Sequence, residues 1–174
     1  MTVADQLGVT MDAGLRTHVT GAWPWISTAA RLGLAAVFLV AGALKIGDLA
    51  ASGRAVNAYR LMPFEVARTV GAIQPFLEIA VGLLLLIGIA VRLSAAIAAL
   101  LLVIFIAGIA SAWARGLQID CGCFSKGGTL AAGQNTTYGW DLLRDIGFLV
   151  LAGILLWRPA TRFSVDGLLM GEPA

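Results

Sequence analysis

Two cysteines, Cys121 and Cys123, are the residues of this chain best suited to covalent chemistry, and a single glycine separates them. Cysteines at i and i+2 can bring their Cα atoms within the ~4.4–6.8 Å that a disulfide tolerates. Gly122 has no Cβ to obstruct so tight a turn. The ring that such a bond closes is very small and therefore strained, and a strained disulfide is easily reduced. That suits thiol–disulfide exchange, with Cys121 and Cys123 as the catalytic pair. Three other readings compete. A metal centre needs about four ligands, commonly Cys or His; the chain offers two cysteines and one histidine, His18, so no metal is expected. Two inert thiols would suit apolar packing, whereas these sit in a polar, Gly-rich segment. A purely structural disulfide around so short a loop would stabilise little.

The second set of reactive residues is ionisable and lies in or beside apolar runs: Lys45, Glu78, Asp120, Arg115, Asp141, Arg144 and Asp145. Ionisable groups within membrane spans cost a few kcal/mol each on insertion scales, so they usually face the interior and mark function. The plainer alternative is that Glu78 and Arg144 pair with each other, and that Asp141 caps a helix N-terminus and neutralises its positive end. Capping is the preferred reading for Asp141. For Glu78 and Arg144 both readings stay open. Arg115 or Arg144 could stabilise a cysteine thiolate, while the Asp120 carboxylate would disfavour it.

The elements that must position these groups are long apolar runs. Ile26–Leu44 holds one charge, Arg31, and follows Trp23 and Trp25; Pro75–Val91 holds Glu78; Leu93–Trp113 holds none; Trp140–Trp157 is bounded by tryptophans. A hydrocarbon core of ~30 Å takes about 17–25 helical residues to cross, and lipid requires every backbone polar group to be bonded within the chain. The uncharged part of the last run, Ile146–Trp157, is too short alone, so that helix must include Asp141, Arg144 and Asp145. Arg92 marks a tight turn between spans two and three. The connection Ile46–Gln74 should hold a short interfacial helix around Phe64–Gly71. Small residues such as Gly33, Ala35 and Gly42 read as packing contacts between membrane helices.

Composition agrees. Of 174 residues, 59 % are apolar and 13 % charged, about half the usual ~25 %. A soluble domain of this size cannot hide so much apolar surface. The expected fold is all-α, a polytopic membrane four-helix bundle. It divides into a polar tail over 1–22, a four-span domain over 23–158 with a redox loop over 114–139, and a tail over 159–174. The first 22 residues lack the order of a secretory signal, so span one is expected to remain as an anchor. Twelve Lys/Arg against ten Asp/Glu, with no basic run, exclude a nucleic-acid partner.

Four spans place both ends of the chain on one side and both long connections on the other. Lys45, Glu78, the cysteines and the Asp141–Asp145 group then gather at one end, with Arg31 near the opposite end. The Lys/Arg count near span ends weakly favours a cytoplasmic location for the loops: Lys45, Arg54, Arg60, Arg68, Arg115 and Lys126 against Arg16, Arg92, Arg158 and Arg162. Stable disulfides belong outside the cytoplasm. The expectation follows the cysteines: a multi-pass protein of the cell membrane, with cytoplasmic termini and an extracytoplasmic CGC loop. Asn135-Thr136-Thr137 is a glycosylation sequon, meaningful only in a eukaryotic secretory pathway.

Over roughly Arg31–Trp157 the chain resembles the MauE/DoxX-like redox-associated membrane proteins, named for methylamine utilisation. The resemblance rests on Arg31, Ala41-Gly42-Ala43-Leu44-Lys45, Tyr59-Arg60-Leu61-Met62-Pro63, Gln74-Pro75-Phe76-Leu77-Glu78 and, most specifically, Arg115-Gly116-Leu117-Gln118-Ile119-Asp120-Cys121-Gly122-Cys123-Phe124. Ser125 stands where the family usually has glycine. The resemblance implies a four-helix membrane protein acting with a thioredoxin-like partner outside the cytoplasm. In methylamine users it implies maturation of the disulfide-rich small subunit of methylamine dehydrogenase. The plan is also similar to the vitamin K epoxide reductase fold, which spaces its cysteines by two residues and passes electrons to a quinone. One intervening residue and no second cysteine pair argue against that role, so no cofactor is expected and a quinone is the weaker alternative.

Two functions follow as expectations. The first is a membrane thiol–disulfide relay between a thioredoxin-like protein and a disulfide-containing client. The second is a non-catalytic assembly or maturation factor that holds a partner in the bilayer.

Overall fold

The computed structural model describes residues 3–122, 127–130, 135–159 and 161–166, with side chains from residue 22 onward. Its helices are α1 (Val3–Ile46), α2 (Leu49–Ala58), α3 (Phe64–Ile87), α4 (Val91–Ala114) and α5 (Tyr138–Trp157). Two short strands, β1 (Ile119–Asp120) and β2 (Gly128–Thr129), pair antiparallel in the last loop, Ile119 opposite Thr129 and Asp120 opposite Gly128.

Among the described residues three helical segments are long and apolar enough to cross a membrane: Ala22–Ile46, Phe64–Ile87 and Val91–Ala114. Helix α5 packs with them. One core takes Leu34 and Phe38 from α1, Leu85 from α3, Ala98 and Leu102 from α4, and Ala152 and Leu155 from α5. The outward faces are apolar as well: Leu32, Val40, Leu83, Leu100 and Val150 are all exposed. Apolar surface on this scale is far beyond what a soluble monomer presents. The protein is all-α and multi-pass, with lipid as the solvent for its outer faces.

Small residues set the closeness of α1 and α3. A Cβ on Gly42 would lie 2.7 Å from Ile79 Cγ1 and 2.8 Å from the Pro75 carbonyl oxygen, and one on Gly82 would lie 2.7 Å from Leu39 Cγ. Backbones approach this closely only where side chains are absent. The small-residue reading of Gly42 therefore has a specific partner in α3.

The helices differ from the sequence expectation in three ways. The segment around Phe64–Gly71 is not a separate interfacial helix but the first turns of α3, which runs through Pro75. Proline favours a first helical turn, which is why Pro75 reads as the start of a span. Within a membrane bundle, an internal proline is tolerated because neighbouring groups satisfy the freed carbonyl. Second, the polar connection before it contains α2, started by Asp48, whose carboxylate accepts from Ala51 N. Third, the α3–α4 turn is Gly88-Ile89-Ala90, with Arg92 already in the first turn of α4.

At that turn Arg31 is buried and donates to the carbonyls of Leu85 and Leu86 at the end of α3 and of Arg162 and Phe163 in the tail. Asp166 accepts from Ala90 N and Val91 N at the start of α4. The segment after α5 is thereby clasped to the end of the bundle opposite the cysteine loop.

Candidate functional site

The cysteine loop is built from the bundle upward. Ile119 is buried with Ala58, Ile109, Ala112 and Tyr138 in a second apolar cluster, which anchors β1 against α2, α4 and α5. Tyr138 at the start of α5 then fixes the backbone. Its hydroxyl donates to Leu117 O at 2.6 Å and accepts from Ile119 N at 3.2 Å. Tyr59, just past α2, donates to the carbonyl of Cys121 at 2.9 Å. Asp120 Oδ1 accepts from Gly122 N at 3.1 Å and shapes the turn. Gly122 has φ +73°, and a Cβ there would lie 3.1 Å from Gly127 Cα, so only glycine suits the position.

Cys121 is half-buried, and the guanidinium of Arg144 donates to its Sγ over 3.9 Å. Arg144 is itself held by two carboxylates on its own helix. Its ion pairs are 3.2 Å to Asp141 and 3.0 Å to Asp145, with the Asp145 side chain 2 % exposed. Asp141 also accepts from the Thr137 hydroxyl at 2.9 Å. The N-cap of α5 is Thr137, not Asp141, which sits one turn inside and pairs with Arg144.

Glu78 does not pair with Arg144. Its carboxylate accepts from Lys45 Nζ at 2.7 and 2.9 Å and from Gln74 Nε2 at 3.0 Å, with Glu78 fully buried. Because α3 begins at Phe64, Glu78 lies about four turns into the helix, level with the last turn of α1. Lys45, Glu78 and Asp145 line one small cavity of about 20 Å³ with Phe105 and Phe148, about the room one water needs. The two ionic groups therefore face each other across the bundle interior. A larger cavity of about 410 Å³ is lined by Lys45, Gln74, Tyr59, Cys121 and Gly122 among others.

Of the residues singled out from sequence, the structure brings together Cys121, Asp120, Arg144, Asp145, Lys45 and Glu78. Arg115 stands apart. It is exposed and donates to the carbonyls of Ser111, Tyr59 and Arg60, closing the C-terminal ends of α4 and α2. Cys123 lies outside the described residues, as do Phe124 and Ser125. Sequence reasoning gave no site role to Tyr138, and named Tyr59 and Gln74 only among the residues that carry the family resemblance. The two tyrosines are the only ones in the chain, and a buried tyrosine usually brings its hydroxyl to a partner; that was the available signal.

Arg144 can stabilise negative charge on Cys121, and its own carboxylates hold it in place to do so. No solved structure matches the chain. A curated relative, the methylamine utilization protein MauE of Paracoccus denitrificans, is 38 % identical over 106 residues, which cover 60 % of this chain and 56 % of that protein. The match thus spans little more than half the length of the relative. The family described as Methylamine utilisation protein MauE matches residues 23–158, which include all of α3, α4 and α5 and the whole cysteine loop. On that match, the chain belongs to the MauE family.

Proposed function

We propose that the protein is a membrane thiol–disulfide relay serving protein maturation in methylamine utilisation, with the Cys121–Cys123 pair as its exchanging group. The observation that carries this is the Arg144 guanidinium 3.9 Å from Cys121 Sγ, braced by Asp141 and Asp145. In the forward direction a thiolate of a thioredoxin-like partner attacks the disulfide of the pair, and the second cysteine of the pair leaves as a thiolate. The partner's second thiol then resolves the mixed disulfide. The partner departs oxidised, the pair keeps two thiols, and two electrons and two protons have moved. Exchange is faster when the leaving thiolate is stabilised, which is the task of Arg144. The partner in turn oxidises a disulfide-containing client.

In this reading α5 is a fourth crossing, the cysteine loop is extracytoplasmic, and the Arg31 end of the bundle is cytoplasmic. Stable disulfide chemistry outside the cytoplasm supports that side.

Trapping tests the relay. A Cys123→Ser variant should accumulate a mixed disulfide with its partner through Cys121, visible as a band that collapses on reduction. Adducts from neither single-cysteine variant, together with normal client maturation in a Cys121→Ala, Cys123→Ala double variant, would leave a non-catalytic assembly role instead.

A further inference from the structure

Three of the five tryptophans stand at the end of the bundle away from the cysteine loop: Trp23 and Trp25 on α1, and Trp157 at the close of α5. The Trp23 and Trp157 rings meet edge to face at 6.0 Å, so the two helices reach the same level there. Tryptophan favours the depth at which hydrocarbon gives way to headgroups. Two arginines sit on these rings. The guanidinium carbon of Arg158 lies 5.4 Å from the Trp23 centroid and 5.5 Å from that of Trp157. That of Arg162 lies 4.9 Å from the Trp25 centroid.

The returning tail is pinned so that both arginines stay in place. The Ser27 hydroxyl donates to the Arg158 carbonyl at 2.9 Å, and the Thr28 hydroxyl accepts from Arg162 N at 2.9 Å. Arg31 takes the carbonyls of Arg162 and Phe163. Phe163 is held at φ +57°, a left-handed backbone that a bulky residue rarely adopts. Its ring is 81 % exposed and stands 6.4 Å from that of Trp25. Packing inside the bundle gives no return for a strained residue whose ring points outward, and such strain persists where a site uses it. Charge is unbalanced as well. Among the described residues neither Arg158 nor Arg162 pairs with a carboxylate. Asp166, the only described carboxylate at this end, accepts from the backbone N–H groups of Ala90 and Val91.

A guanidinium stacked on an indole keeps its N–H edge free, and that edge matches two oxygens of a phosphate. At the depth the tryptophans mark, the phosphate belongs to a phospholipid. Trp23 and Trp25 are about 200° apart around α1 at 3.6 residues per turn, so the arginines serve two sides of the helix. We propose that Arg158 and Arg162 each bind the phosphate of an anionic phospholipid, with Phe163 lying beside Trp25 at the top of the acyl chains. A zwitterionic lipid is the poorer ligand, because its own ammonium is repelled by the arginine and offsets the attraction of its phosphate. The site is independent of the cysteine chemistry at the opposite end.

The full chain is tested in mixed bilayers of phosphatidylglycerol and phosphatidylcholine, with one lipid at a time brominated in its acyl chains to quench tryptophan fluorescence. A Trp113→Phe, Trp140→Phe background removes the other two tryptophans, both exposed, so that Trp23, Trp25 and Trp157 report. At equal mole fraction, brominated phosphatidylglycerol should quench at least about twice as strongly as brominated phosphatidylcholine. An Arg158→Gln, Arg162→Gln double variant should bring the two lipids level. Equal quenching in the starting protein, or a preference that survives the double variant, overturns the site. Arg92→Gln removes an exposed cation at the same end that none of the three tryptophans holds, and it should keep the preference. A loss there equal to that of the double variant would assign the selection to diffuse charge and overturn the site. Inorganic phosphate, added at constant ionic strength, should leave the preference intact; its abolition would make free phosphate the ligand and overturn the lipid.

Discussion

Arg144 reaches Cys121 because Asp141 and Asp145, one turn and one residue away, prevent it from turning elsewhere. Replacing it by glutamine keeps hydrogen-bonding capacity and removes the charge. Arg144→Gln should slow alkylation of reduced Cys121 by about tenfold at neutral pH, because the thiolate loses its cationic neighbour. Rates should be measured with Cys123→Ser as background, so that one thiol reports. The Lys45–Glu78 pair belongs to a different balance. Breaking a buried pair leaves an uncompensated charge at a cost of about 3–5 kcal/mol, whereas an apolar replacement of both partners is often neutral. Glu78→Gln should therefore lower thermal stability in micelles markedly. A Lys45→Met, Glu78→Leu double variant should recover most of that loss. Equal destabilisation in both would mean that the pair is not the source of the effect.

At the scale of elements, the loop is held by what surrounds it. Tyr138 spans Leu117 and Ile119 with one hydroxyl, so Tyr138→Phe leaves a buried N–H and a carbonyl without that partner. The expected cost is about 1–3 kcal/mol, confined to the loop. Hydrogen exchange should quicken at Ile119 and its strand neighbours while α4 stays protected; unchanged exchange there would show that the tyrosine is not the anchor. The α1–α3 crossing is equally specific. Gly82→Leu would drive a side chain into Leu39, where even a Cβ lies 2.7 Å from Leu39 Cγ. Overpacking of this kind typically costs about 1–3 kcal/mol, and the variant should melt lower in micelles. Because the same helix pair aligns Lys45 with Glu78, it should also disturb that ion pair.

At the scale of the whole molecule, the cysteine loop sits at one end and closure at the other. Arg31 joins α3 to the returning tail through four carbonyls. Arg31→Met should loosen that end, exposing the segment after α5 to proteolysis while the Cys121 alkylation rate stays near wild type. A fall in that rate would mean that the two ends are coupled. Labelling of intact cells with a membrane-impermeant thiol reagent checks the orientation: the proposed topology expects Cys121 to react from outside once reduced.

Hydropathy and charge placement were enough to determine that the chain is an all-α membrane protein with reactive residues gathered near one end, because the exclusion of polar groups from hydrocarbon acts along the chain itself. The Cys121-Gly122-Cys123 spacing likewise made the pair a candidate for thiol exchange without any fold, since adjacency in sequence is adjacency in space for a tight turn. Pairing was another matter. That Glu78 meets Lys45 and not Arg144, that Arg115 closes helix ends, and that both tyrosines serve the cysteine loop all depend on helix register and on where α3 begins. An eleven-residue extension of α3 ahead of Pro75 changed the depth of Glu78 relative to every other helix. Register of this kind is set by Gly42 seating against Pro75 and Ile79 and Gly82 against Leu39, contacts between distant parts of the chain that only the packed bundle decides.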